Sequence, residues 1–177
     1  MRSKALALKA LSYDEEHSCE ISFAPCLPGP ERLVALGFRY WILGRDTGEI
    51  GCWERAFNLY QGHFGVAGAR VALTQLSLWV AAVDNAARRD IEVFPASCRS
   101  FCRDECLAVS MIAACQHQTC PAMRACAFAL AESARLEEVV ETAQSFADTM
   151  LGLDQVLSAG SIVPAIASLT PASKTLQ

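Results

Sequence analysis

Six of the chain's nine cysteines fall between positions 98 and 126: Cys98, Cys102, Cys106, Cys115, Cys120 and Cys126. Thiolates are soft ligands, suited to Zn(II), Cu(I) or an iron–sulfur cluster. The i, i+4, i+8 spacing of the first three predicts thiols about 40° apart on one helix face, since each residue turns a helix by about 100°. An i, i+4 pair has Cβ atoms about 6 Å apart and can chelate one soft ion. Cys98 and Cys106, however, are separated by about 12 Å of helical rise, so one mononuclear site cannot use all three. Suppose a helix over 98–116 and another from Thr119 or Cys120 form a hairpin turning near His117–Gln118. Cys115 and Cys120 then meet at the turn, and Cys126 lies near the level of Cys106. The expected metal ligands are Cys102, Cys106 and Cys126 in one site, and Cys115, His117 and Cys120 in a second. Each set needs a fourth ligand from outside the hairpin, for which Cys19, Cys26, Cys52 and His63 are the candidates, or an open position for substrate.

No C-x2-C occurs, so zinc ribbons, thioredoxin-type pairs and ferredoxin runs all lack their defining element. Thiols at i, i+4 on a bundle helix resemble those of bacterial copper-storing four-helix bundles, which spread such pairs over all their helices, whereas one hairpin holds them here. The competing reading is that cysteine, a small apolar residue, fills tight helix contacts in an Ala-rich core. A third makes Cys115 and Cys120 the nucleophile and resolving thiol of a redox enzyme.

Other side chains with chemical potential carry less. His63 sits among glycines with only Glu54 or Asp46 as sequence-level partners, and no triad accompanies it. Arg39, Tyr40, Trp41, Trp53 and Tyr60 concentrate aromatic surface in the first half, for which helix packing is the commoner use. Glu137, Glu141 and Asp148 form one line, the solvated face of a helix. Arg88, Arg89, Arg99 and Arg103 could meet a phosphate or carboxylate. They are interleaved with Asp90, Asp104 and Glu105, and the net charge is −4, so no nucleic-acid partner is expected.

The elements that position these residues read as helices. Apolar residues make up 53% and charged ones 19%, with 10 Gly and 7 Pro, which excludes a disordered or collagen-like chain. A first helix is predicted from Pro30 or Glu31 to Leu43, capped by Gly44; a short second runs to Gln61, opened by an Asp46–Glu49 capping box and broken at Gly62–Gly65. From Val66 to Arg88 apolar residues step by three and four over most of the circumference, the mark of a central helix. Ser97 is the expected N-cap of the cysteine helix, Pro121 the opening of the next, and a bend is placed near Glu132–Arg135. Beyond it Leu136, Val139, Val140, Ala143, Phe146, Ala147, Met150 and Leu153 share one side, ending at Gly160.

The expected fold is therefore an all-α, single-domain helical bundle of five to six helices over 31–160, with a non-helical lead-in at 1–30 and an extended tail at 161–177. Lys9 interrupts the N-terminal apolar run too early for a secretory signal, and Val71–Val83 is too short to span a membrane. A cytoplasmic protein is expected, where thiols stay reduced and clustered cysteines favour metal or redox chemistry. The leading expectation is a soft-metal or cluster protein with no catalysis implied. An interaction module meeting a protein partner or a second copy is the alternative.

Overall fold

The computed structural model describes residues 27–162, so Cys19, Cys26, most of the lead-in and the 163–177 tail lie outside the described residues. Within them are five α-helices and no strand: α1 Gly29–Thr47, α2 Ile50–Ala86, α3 Arg103–Gln116, α4 Cys120–Ala131 and α5 Glu137–Gly152, followed by a 3-10 turn at Ala159–Ser161. The bundle is all-α, as its periodicity predicts. α1 and α2 pair, α3 and α4 form a second hairpin, and α5 packs on both α2 and α3. Trp79 of α2 stacks on Phe146 of α5 at 5.7 Å and lies 5.4 Å from Phe38 of α1, so three helices meet on one indole.

Several boundaries move, each for a local reason. Gly44 does not end α1. A Cβ there would come within 2.7 Å of the Trp53 indole nitrogen, so this glycine admits a close approach, and the C-cap is Gly48 at φ 74°. The predicted Asp46–Glu49 capping box does not form, since Glu49 is the N-cap of α2 and makes no side-chain cap. The break expected at 62–65 is present but narrowed to one residue, Gly65, at φ 69° and ψ 179°, where the two helical arms of α2 meet at a kink. That backbone region is essentially reserved for glycine. α2 is long and apolar enough to cross a membrane by length and composition. In the bundle its C-terminal arm is a central helix, burying Leu76, Trp79, Val80 and Val83.

The largest correction concerns the cysteine helix. Ser97 is not its N-cap, and residues 98–102 are not helical: α3 begins at Arg103, with Cys102 as N-cap. The guanidinium of Arg39 takes the carbonyls of Cys98 and Ser100, both at 2.6 Å. In a helix those oxygens would accept from amides four residues on. The Cys102 amide instead donates to the Glu105 carboxylate at 2.8 Å, closing a capping box. The i, i+4, i+8 thiol face of Cys98, Cys102 and Cys106 therefore does not exist, because only Cys106 lies within α3. The hairpin turn itself falls at 117–119 as expected, and the bend after α4 falls at Glu132 in left-handed conformation, φ 49°. α5 ends at Gly152, earlier than Gly160, where Leu153 and Asp154 turn the chain.

Candidate functional site

The cysteine hairpin is held from beneath by a sealed ion pair. Arg39 and Glu105 have no side-chain exposure and meet at 2.5 Å and 3.0 Å. The guanidinium also lies 4.9 Å from the centre of the Phe101 ring. Glu105 accepts from the Phe94 amide at 3.3 Å as well as from Cys102. One Arg on α1 thus gathers the connector between α2 and α3, and its donors and the carboxylate's lone pairs are spent inside the protein. A second pair stands beside it: Arg89 grips Asp104 through both oxygens at 2.6 Å and 2.7 Å, and Asp104 accepts from the Glu92 amide at 2.9 Å. The carboxylate that the Arg88–Arg89 pair suggested belongs to this chain. Nothing in the sequence pairs these residues, although an Arg between buried Phe38 and Ile42 on an apolar helix was a readable sign of a buried partner.

Around this clamp the predicted ligands are dispersed. Cys102 is buried at the N-cap of α3, and its thiol donates to the Glu92 carbonyl at 3.1 Å. Burial, and next the Glu105 charge, push its pKa up to about 12. Cys106 is half-buried on α3, pushed to about 11 by burial and then by Glu105. Cys126 is buried in α4 and pushed by burial to about 11. Cys115, in the last turn of α3, rises to about 12 through burial first, then Asp148, Cys126 and Cys120. Cys120 opens α4 and is exposed. Exposed His117 is the C-cap of α3; its Nε2 lies 2.8 Å from the Leu157 carbonyl. A carbonyl only accepts, so that nitrogen carries the proton and is not a ligand.

Cys115 lies close enough to Cys126 and Cys120 to feel both, the first a neighbour that the hairpin reading places instead beside Cys106, while Cys102 caps α3 by bonding the connector. Among the described residues no three His, Cys, Asp or Glu side chains converge as a metal-holding group. Of the outside candidates, His63 is exposed within α2, and the buried Cys52 thiol lies 3.9 Å from a Glu49 carboxylate oxygen of its own helix. No known protein family, curated protein or solved structure matches the chain.

Proposed function

We propose that this chain is a helical interaction module whose hairpin cysteines serve as core and capping residues in a reducing compartment. The observation that carries this reading is where the thiols are placed: Cys102 caps α3 with its thiol on the Glu92 carbonyl, and Cys115 and Cys126 are buried in the helix-packing core. Cys102, Cys106, Cys115 and Cys126 are held protonated by burial, with pKa values of about 11 to 12. Nucleophilic attack by an uncoordinated thiol requires the thiolate, which burial in apolar surroundings disfavours. The competing proposal is a soft-metal protein binding Zn(II), Cu(I) or an iron–sulfur cluster. It is favoured by Cys115 lying close enough to Cys120 and Cys126 to feel both.

Metal stoichiometry and native thiol labelling of anaerobically purified wild type and Cys106→Ser separate the two. The module reading expects no stoichiometric metal in either protein, no effect of chelators on melting, and fast labelling of Cys120 only within the hairpin. Stoichiometric metal or a visible chromophore that Cys106→Ser removes would overturn it in favour of soft-metal binding. A Cys115–Cys120 disulfide formed rapidly by mild oxidation would overturn it in favour of thiol redox chemistry.

A further inference from the structure

The outer face of α2 carries an uncharged seam that is separate from the cysteine hairpin. Ala67, Val71, Thr74, Leu78, Ala81 and Asn85 alternate steps of four and three, the spacing of coiled-coil a and d positions. All but half-buried Ala81 are exposed, and the two largest, Val71 and Leu78, are 55% and 51% exposed. The helix buries the opposite half of its surface, so this is not a core face turned outward by chance of boundary. Gln75 and Ala82 on one flank of the seam are half-buried and buried. The other flank carries Arg70 and Asp84, both exposed, each one residue before a seam position.

Resting on the interaction-module reading, we infer that this seam binds a second copy of the chain, with the two α2 helices antiparallel about a two-fold axis. The charges select both occupant and direction. With Thr74 facing Leu78 of the other copy, Val71 faces Ala81, and the helical rise brings Arg70 within about 3 Å, along the axis, of the level of the other copy's Asp84. Symmetry makes the same contact twice. A parallel, in-register pair would set Arg70 against Gln75 and give neither charge a partner. Asp84 already accepts from Arg45 of its own α1 at 2.6 Å through one oxygen, and the second oxygen is available for a second guanidinium.

The test is sedimentation equilibrium of the full chain from about 1 to 200 µM, a span that covers weak and moderate dimers. Wild type is expected to dimerise. Leu78→Glu and Val71→Glu, both at exposed positions, should be monomeric with unchanged helicity and with the melting temperature of wild type diluted to monomer. Arg70→Glu and Asp84→Arg should each weaken the dimer, about tenfold, by opposing like charges. Mixed together they should form a heterodimer at near wild-type strength, because both ion pairs are then restored. A monomeric wild type at the highest concentration overturns the inference, as does a dimer indifferent to Leu78→Glu and Val71→Glu. A dimer broken by Leu78→Glu whose charge variants show no weakening and no rescue overturns the antiparallel pairing. Wild type found monomeric but bound to phosphatidylcholine vesicles through Leu78 would assign the seam to lipid instead. None of these results reads metal content, so failure here is distinct from failure of the module reading.

Discussion

Arg39 is the side chain on which the connector depends. Arg39→Met removes the cation but leaves the Glu105 carboxylate with no exposure and without its countercharge. Breaking one half of a buried pair costs about 3–5 kcal/mol, and urea denaturation should show a loss of that size. A loss below about 1 kcal/mol would mean that Glu105 finds water or a proton at little cost. The thiols make a second prediction, in pH. Buried Cys102, Cys115 and Cys126 and half-buried Cys106 have folded pKa values raised from 9.0 to about 11 or 12, so the unfolded chain releases their protons first. Their contribution is complete below the unfolded thiol pKa and is lost as pH climbs through the folded values. The melting temperature should therefore fall above about pH 8.5, and Cys126→Ala should make that fall shallower. An equal slope in both proteins would show that Cys126 titrates normally. The cysteines were legible as a cluster, but their roles were not, because the group that diverts the Cys98 and Ser100 carbonyls lies on α1, some 60 positions away.

Among the elements, α2 is the one whose shape depends on a single backbone angle. The space that a Cβ on Gly65 would fill is open, so Gly65→Ala tests conformation alone. Holding an alanine at that φ and ψ costs about 1–3 kcal/mol, measurable by thermal unfolding, and a neutral result would mean that the kink relaxes away. Beyond the kink, Leu76 has no exposure, and Leu76→Ala should cost about 2–5 kcal/mol. A cost under about 0.5 kcal/mol is the range of surface sites and would contradict its central place. α5 was legible almost residue by residue: Val139, Ala143, Phe146, Ala147 and Met150 are buried, as the apolar side requires. Its signal survives because one clean face meets one continuous surface. The expected helix over 98–116 was legible from Arg103 onward and misread only at 98–102, where Arg39 takes the Cys98 and Ser100 carbonyls.

At the scale of the whole molecule, the ends of the described chain are tied across the bundle. Buried Glu31 of α1 accepts from the Ser158 amide at 2.6 Å and the Ser161 hydroxyl at 3.0 Å. Gln116 bonds Leu157 and Gln155, and Ser110 donates to the Ser161 carbonyl at 2.6 Å. The segment after α5 is therefore a strap joining α1 to the cysteine hairpin. Glu31→Ala should lower hydrogen-exchange protection at Ser158 about tenfold or more, while amides around Leu76 and Val80 keep theirs. Unchanged protection at Ser158 would mean that the Gln116 and Ser110 bonds hold the strap alone.

What the sequence by itself determined is the class and most of the helices: periodicity places apolar faces, Pro121 opens α4, and the 132–136 bend separates α4 from α5. These signals are local, since a helix's own hydrogen bonds connect residues only four apart. Tertiary structure alone decided where α3 begins, which glycine caps and which admits an indole, and whether the clustered thiols converge. Each of those turns on a partner beyond the four-residue reach of a helix's own bonds: Arg39 for the connector, Trp53 for Gly44, Glu92 for Cys102. A buried carbonyl or thiol goes to the best donor or acceptor that packing brings to it, and packing is not written in spacing.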